Sequence, residues 1–199
     1  MNGFFLSVHG IDGTGKTSAV KRVTELLVDR DVYAVNYDNL KQDNPFTQIK
    51  SAVLDLPINV QLAYYTASAV YHSSRIKNLL DTGATVLKSR HLDDIFAHHT
   101  YAGADANLLN WAKECPSLVH SDFRVVLVCE EQTRLARLNS RGIKDERDCM
   151  VVSPGSRLDF MQQYFRGQPN VLEIDTKRLN LEETAQTIMY HLQKLRGEV

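Results

Sequence analysis

One eight-residue stretch near the start of the chain constrains the fold more than any other feature. Residues 10–17 read Gly-Ile-Asp-Gly-Thr-Gly-Lys-Thr and match the pattern G-x-x-x-x-G-K-[ST]. The glycines permit a backbone whose amides converge on an anion, Lys16 supplies positive charge for outer phosphates, and the Thr17 hydroxyl can bind Mg²⁺. The stretch therefore predicts a phosphate-binding loop.

The sequence on either side of the loop fits that prediction. Residues 4–8 form a short apolar run that is typical of a buried strand. After the loop, apolar residues recur at helical spacing, at Ala19, Val20, Val23, Leu26 and Leu27. A strand, a loop and a helix in this order would aim the helix N-terminus at the bound anion. A glycine-rich turn without a ligand is the alternative, and the two flanks disfavour it.

Composition limits the class of protein and its partners. The chain has 199 residues, of which 43% are hydrophobic and 24% charged, as in an ordinary globular domain. Its formal net charge of −1 gives no general attraction to nucleic acid or to an anionic membrane, so we expect neither as a partner. The three cysteines have no metal-ligand spacing, which favours reduced thiols in the cytoplasm, with Cys129 in the core.

The order of predicted elements indicates an α/β fold. Strand, helix, strand at the start of the chain implies a right-handed crossover and a parallel sheet. No run is long enough to span a membrane, and the early position of the loop leaves no room for a signal peptide. Four more strands are predicted, over residues 32–37, 84–88, 123–129 and 171–175. Helices are predicted over 47–80 with a break near Pro57, over 93–112 with a break near Gly103, after the fourth strand, over 157–166 and over 181–195.

We therefore predict a three-layer fold of the P-loop NTPase type, with a five-stranded parallel sheet flanked by helices, and one domain over residues 1–199. Residues 142–155 are polar, charged and rich in turn formers, so we expect a mobile lid there. The closing helix is expected to point five residues inward, namely Leu181, Ala185, Ile188, Leu192 and Leu195.

Three further segments join the loop in one resemblance. A phosphate loop with an acid at its third position resembles that of the thymidylate kinases and related nucleoside monophosphate kinases. Ser89-Arg90-His91 follows the third strand, where that family has Asp-Arg-Tyr or Asp-Arg-His. Residues 137–147 fall where the family has an Arg-rich lid, and residues 171–176 resemble its last strand and purine-side loop. The resemblance covers nearly the whole chain, and the phosphate loop is its most specific part.

The resemblance implies a kinase that moves the γ-phosphoryl group of ATP, with Mg²⁺, to a nucleoside monophosphate such as dTMP. It implies Thr17 as the metal ligand and a homodimer as the possible assembly. The residues that it places around ATP are Gly10, Asp12, Gly13, Thr14, Gly15, Lys16, Thr17 and Ser18.

Candidate catalytic residues follow from the charge on the transferred group. Phosphoryl transfer needs positioning and neutralisation of phosphate charge, which Lys16, Arg90 and lid arginines would supply. Arg147 best matches the lid arginine of the family, and Arg141 and Arg137 are weaker candidates for the same role. The alternative for the lid arginines is a solvated surface charge, and for Arg90 it is a salt bridge to Asp93 or Asp94. We expect Lys16 to lie outside the core.

The acceptor side departs from the family pattern. The resemblance implies that Asp12 faces the acceptor sugar and that Tyr64 stacks on the acceptor base, although tyrosines are more often core residues. Ser68 stands where the family usually has an arginine on the acceptor monophosphate, and Arg90 and His98 complete the predicted acceptor set. Ser89 replaces the family's Asp. The residues expected to bind the phosphate donor thus keep the family pattern, and those expected to bind the acceptor depart from it. We therefore expect weak binding of dTMP.

Several alternatives stay open. Asp93 and Asp94 are candidates for a water-mediated metal partner or for a helix cap, and we expect the cap role for Asp93. His98 and His99 are adjacent and point about 100° apart on a helix, so they cannot easily share one ion. The rival functions are a kinase for a non-nucleotide metabolite phosphate and a nucleotide-binding regulatory protein without turnover.

Overall fold

The computed structural model of the chain describes residues 3–140 and 156–197. Its five strands form one sheet in the order β2-β3-β1-β4-β5, and every neighbouring pair is parallel. The strands are β1 (Phe4–His9), β2 (Ala34–Asn36), β3 (Thr85–Ser89), β4 (Phe123–Val128) and β5 (Val171–Asp175). The predicted five-stranded parallel sheet is confirmed.

Helices connect the strands as predicted, with breaks at Pro57 and near Gly103. They are α1 (Lys16–Val28), α2 (Phe46–Val53), α3 (Ile58–Asp81), α4 (Leu92–Tyr101), α5 (Ala106–Lys113), α6 (Glu131–Ser140), α7 (Ser156–Arg166) and α8 (Leu181–Leu195). Only the second strand is clearly shorter than predicted. The Asn36 side chain accepts a hydrogen bond from the Asp38 amide at 3.0 Å and turns the chain into a 3-10 helix, Tyr37–Asp43.

The core of one layer lies between the sheet, α1 and α8. The five apolar residues predicted to form the inner face of α1 are all buried, and Cys129 is buried as expected. The prediction for α8 was wrong at both ends, since Leu181 and Leu195 are 47% and 50% exposed. Helical spacing identifies the apolar face of a helix, but it does not show how far along that face the neighbouring elements extend. The buried stripe of α8 is confined to Thr184, Ala185, Ile188, Met189 and Leu192.

The sheet topology brings the two motifs of the sequence together. β1 and β3 are adjacent, with Val8 opposite Ser89, so the phosphate loop and Arg90 leave the same edge of the sheet. The Arg90 amide donates to the Val8 carbonyl at 2.9 Å, which extends this pairing past the end of β3. Ligands of parallel α/β sheets bind at this carboxyl edge. Within the described ranges, no helix has the length and apolar character that a membrane-spanning helix requires.

Candidate active site

One large cavity lies at the carboxyl edge of the sheet. Its volume of about 650 Å³ is in the range of small-molecule sites. The phosphate loop forms one wall, and the end of β3, α3, α4 and the start of α6 form the others. Of the residues predicted from the sequence, the cavity is lined by Gly10, Asp12, Gly13, Gly15, Lys16, Thr17, Tyr64, Ser68, Arg90 and His98.

The phosphate loop is packed too tightly for side chains at two of its glycines. Gly10 and Gly13 have φ angles of +133° and +88°. A Cβ on Gly10 would lie 2.4 Å from the Leu127 carbonyl oxygen, and one on Gly13 would lie 2.7 Å from Arg134 Cγ. Both the backbone angle and the space therefore require glycine at these positions. The Thr14 hydroxyl donates to the Ile11 carbonyl at 2.8 Å and closes the loop from within.

Lys16 is buried, contrary to our expectation that it lies outside the core. Only 7% of it is exposed, because the loop folds over its side chain. Its Nζ donates to the Ile11 carbonyl at 2.6 Å and lies 3.7 Å from Asp12 Oδ1. Burial, and to a lesser extent the charge of Arg90, lower the pKa of Lys16 to about 8. The ion pair with Asp12 thus offsets the burial of the ammonium only in part, and the ammonium is suited to meet an anion that enters the loop.

Thr17 and Ser18 follow at the start of α1. Both are exposed, and Thr17 lines the cavity. Ser18 is not among the residues that line it. The described residues contain no group of three or more His, Cys, Asp or Glu side chains that could hold a metal ion. A metal at this site would therefore depend on the Thr17 hydroxyl together with the phosphates of a bound nucleotide.

Arg90 forms an ion pair with Asp12 across the cavity. The alternative partners considered for it, Asp93 and Asp94, are engaged elsewhere. The guanidinium side chain is 49% exposed, so the pair can exchange with a ligand. Arg90 has a φ of +59°, an uncommon angle for a residue with a side chain, and its carbonyl accepts a hydrogen bond from Lys88 Nζ at 2.6 Å. Lys88 lines the cavity but carried no signal in the sequence, since it lies within a strand.

The cap of α4 involves Asp94 and not Asp93, so that prediction was wrong. The Asp94 carboxylate accepts from the His91 amide at 3.3 Å in a capping box. Asp93 is buried instead and accepts from Arg124 Nε at 2.8 Å. Position along the chain could not separate the two acids, because the difference depends on Arg124, which is 31 residues away.

A buried polar chain connects Asp94 to the interior of the sheet. His9 Nδ1 donates to the Asp94 carboxylate, and His9 Nε2 lies 2.6 Å from Ser7 Oγ, which donates to Ser121 Oγ at 2.7 Å. Burial alone would raise the pKa of Asp94, but His9, and more weakly Arg90 and Lys16, lower it below its ordinary value. The alternating polar residues Ser7 and His9 at the end of an apolar strand are the sequence signal for this hydrogen-bonded network, which was not predicted.

The acceptor half of the cavity is lined by polar and aromatic side chains. Tyr64 donates its hydroxyl to the Phe46 carbonyl at 2.5 Å, and its ring lies 5.0 Å from that of Tyr65. The rings of His98 and His99 are 4.9 Å apart at 81°, and the buried His99 donates from Nδ1 to the Ile95 carbonyl at 2.7 Å. Residues in this half that the sequence did not single out are Asn44, Lys50, His72 and Lys88.

The arginines of α6 contact the phosphate loop. Arg137 donates to the Thr176 carbonyl at 2.7 Å and to the Gly13 carbonyl at 3.5 Å. Arg134 is buried and donates to the Asp12 carbonyl at 3.4 Å. These two arginines are therefore not solvated surface charges. Arg141, Arg147 and the proposed lid over 142–155 lie outside the described residues.

Known proteins resemble the chain over almost all of its length. A family model described as thymidylate kinase matches residues 8–188. A thymidylate kinase of Mycoplasmopsis agalactiae is 25% identical over 199 aligned residues, covering 92% of this chain and 88% of the relative. A probable thymidylate kinase of Methanocaldococcus jannaschii is 22% identical and covers 98% of both chains. The crystal structure of thymidylate kinase from Ehrlichia chaffeensis has the same fold, with a TM-score of 0.69 at 17% identity over 97% of this chain and 100% of the other.

Proposed function

The chain belongs to the thymidylate kinase family, and on that premise we propose that it moves the γ-phosphoryl group of ATP to a nucleoside monophosphate. The observation that supports this function best is the shared cavity. The phosphate loop, Arg90, Tyr64 and Ser68 all line one space of about 650 Å³, so a donor and an acceptor can meet there. A protein that only binds nucleotide has no need of the second half.

On the donor side, we propose that the loop amides and Lys16 hold the ATP phosphates. Lys16 Nζ would exchange the Ile11 carbonyl for a phosphate oxygen, which offers a full negative charge to a partly compensated ammonium. An acceptor phosphate oxygen then forms a bond to the γ-phosphorus while the bond from that phosphorus to the β–γ bridging oxygen breaks, giving ADP and a nucleoside diphosphate. Lys16 and Arg90 would lower the barrier by neutralising charge that moves onto the oxygens.

The residues present fit a magnesium ion bound with the nucleotide. The Thr17 hydroxyl is exposed on the cavity wall at the first turn of α1. Asp94 lines the same cavity and is the candidate for a contact through water, whereas Asp93 is fully engaged with Arg124 inside the protein. Mg²⁺, when bound, neutralises phosphate charge.

On the acceptor side, Arg90 is the residue best placed to bind the acceptor phosphate. Its partner Asp12 belongs to the phosphate loop, so release of Arg90 would free a carboxylate that can accept from a sugar hydroxyl. Tyr64 would contact the base, and Ser68 and His98 would lie beside the monophosphate. We propose dTMP as the first acceptor to test, bound weakly because Ser68 carries no charge.

We further propose a single domain over residues 1–199, a lid over 142–155 that contains Arg147 and directly follows Arg141, a homodimer and a cytoplasmic location. The order of elements, the polar composition of 142–155 and the cysteine usage support the domain, the lid and the location, and family membership supports the homodimer.

A coupled assay for ADP release tests the function. We expect ADP release that depends on a nucleoside monophosphate when the common ones are screened one at a time with MgATP, against a control without acceptor. Equal release with and without acceptor would indicate a hydrolase. Binding of MgATP without any release would favour a regulatory protein.

A variant pair tests the metal ligand in the same assay. We expect Thr17→Ala to raise the Mg²⁺ concentration needed for half-maximal rate. Thr24→Ala is the matched control, because Thr24 lies in the same helix and donates to the Val20 carbonyl at 2.7 Å, away from the cavity. An unchanged Mg²⁺ titration for Thr17→Ala removes Thr17 from the metal site.

A further inference from the structure

Two arginines of α6 hold the outer side of the phosphate loop. Arg134 Nη1 donates to the Asp12 carbonyl at 3.4 Å, and Arg137 Nη1 donates to the Gly13 carbonyl at 3.5 Å. Residues three apart lie on the same face of a helix, so the two side chains reach consecutive carbonyls from one side. The Gly13 backbone also rests on the Arg134 stem, where a Cβ would meet Cγ at 2.7 Å.

These contacts fix the direction of the loop amides. The peptide bond is planar and trans, so a carbonyl and the N–H of the next residue point in opposite directions. Holding the Asp12 carbonyl towards α6 therefore turns the Gly13 amide away from α6. The same relation links the Gly13 carbonyl to the Thr14 amide. Both amides belong to the loop that is built to surround a phosphate.

The surroundings of Arg134 differ from those of Arg124, the other arginine that is buried among the described residues. Arg124 Nε donates to Asp93 at 2.8 Å, and its Nη1 donates to two carbonyls at 3.1 and 3.2 Å. Arg134 is 2% exposed, pairs with no carboxylate in the described part of the chain, and has an Nε without a hydrogen-bond partner there. Burying a guanidinium with so few partners is unfavourable, so packing does not explain its presence.

We propose that Arg134 is a positioning residue for the donor triphosphate. It orients the Asp12–Gly13 peptide, and its buried charge is offset when the phosphate anion occupies the loop. This inference rests on the proposed function for the nature of the ligand. Arg137 also contacts Thr176, whereas the one hydrogen bond that the Arg134 side chain makes in the described chain is to the loop.

The test compares nucleotide affinity with the stability of the free protein. Arg134→Met keeps the length of the side chain and removes the charge. We expect it to weaken binding of the ATP analogue AMP-PNP with Mg²⁺ by about tenfold or more in calorimetry, a usual cost of losing a group that orients a ligand-binding one. We expect the Tm of the ligand-free protein to stay unchanged or rise, because an apolar side chain of similar size suits a buried site.

Three further variants complete the test. Arg134→Lys retains the charge and should recover part of the affinity. Arg166→Met removes an exposed arginine that pairs with Glu173 at 2.8 Å, and should change neither quantity. Arg124→Met removes the guanidinium partner of the buried Asp93 and leaves it only His9, at 3.4 Å, in the described chain, so the Tm should fall. This variant shows the result expected of a purely structural arginine.

The outcomes separate this inference from the proposed function. If Arg134→Met binds AMP-PNP as the wild type does, with or without a lower Tm, Arg134 has no positioning role. If the folded wild type itself fails to bind AMP-PNP with Mg²⁺, the proposed function is wrong and the inference falls with it.

Discussion

The donor and acceptor sides of the cavity are built in different ways. The donor side comes from one contiguous loop whose shape is set by backbone angles, with Gly10 and Gly13 packed against carbonyl and side-chain atoms. The acceptor side is assembled from side chains of α2, α3, β3 and α4, which meet only in the folded protein. Binding of the donor therefore depends on a short segment, whereas binding of the acceptor depends on tertiary packing.

Charge is also distributed differently between the two sides. Lys16 on the donor side is buried, and its one carboxylate neighbour in the described chain within salt-bridge distance, Asp12 at 3.7 Å, also pairs with Arg90, so the loss of hydration is only partly offset. Asp94 on the acceptor side is held by His9, in a network that continues through Asp93 to Arg124. A change on the donor side should thus affect ligand binding more than stability, and a change in the His9 network should affect stability as well.

The largest effect is expected from Lys16→Ala, which removes the charge on which the donor side depends. Loss of one preorganised donor at a reacting group usually costs about 10²–10³-fold in rate, or about 2.7–4 kcal/mol. We expect a fall of that size in kcat/KM for MgATP, measured by coupled ADP release. The Tm should not fall, because the alanine removes a desolvated charge.

A near-wild-type rate for Lys16→Ala would contradict the assignment of the donor side. Lys21→Ala is the control, since Lys21 is exposed on α1, away from the cavity, and forms only a surface ion pair with Glu25 at 4.0 Å in the described chain.

What the sequence could predict follows the same division. The phosphate loop, its flanking strand and helix, and the five strands depend on local patterns, and the structure confirms them. The partner of Arg90 is Asp12, 78 residues away, and that of Asp94 is His9, 85 residues away. Sequence analysis considered only the near neighbours Asp93 and Asp94 for Arg90. A single sequence gives no distances between remote residues, so these pairings required the fold.

Local sequence patterns also could not predict which charged side chains are buried. Lys16 and Arg134 are both buried, although charged residues at such positions usually face solvent. Lys16 is covered by its own loop, and Arg134 is covered because Gly13 rests on it. Gly13 stands at a variable position of the motif, and its lack of a side chain is what allows α6 to pack close to the loop.

The second effect concerns stability on the acceptor side. His9→Leu would leave the largely buried Asp94 carboxylate with the His91 amide but without its main partner, and losing such a partner costs about 2–3 kcal/mol. Urea unfolding should show a loss of this size. The double variant His9→Leu/Asp94→Leu should lose clearly less than the sum of the two single variants, because neither position then holds a polar group that has lost its partner. Additive losses would show that the pair contributes nothing as a pair.

The third effect concerns acceptor affinity and involves Ser68. A charge-assisted contact to a phosphate contributes about 1.5–3 kcal/mol, which corresponds to about ten- to a hundredfold in affinity. Because Ser68 lines the cavity, Ser68→Arg should tighten dTMP binding by that factor in calorimetry, while AMP-PNP binding stays unchanged. Ser74→Arg, at an exposed position of the same helix, is the control. Micromolar dTMP affinity in the wild type would show that the acceptor site needs no arginine at this position.

The smallest effect is a dependence on pH that is confined to the donor side. The pKa of Lys16 in the free protein is about 8, below its ordinary value of 10.5, because the side chain is buried. Nucleotide binds the protonated form, so affinity for AMP-PNP should fall as pH rises through 8 and be about tenfold weaker at pH 9 than at pH 7.

Stability of the ligand-free protein should change in the opposite direction. Between pH 8 and 10.5 the unfolded chain keeps the Lys16 proton that the folded protein has lost, so unfolding takes up a proton and the free energy of unfolding rises with pH. Lys16→Met removes this group, so both its affinity and the Lys16 contribution to its stability should be flat over that range. If wild-type affinity is equally flat from pH 7 to 9, Lys16 keeps its proton in the free protein, and the contrast between a partly compensated donor side and a paired acceptor side is wrong.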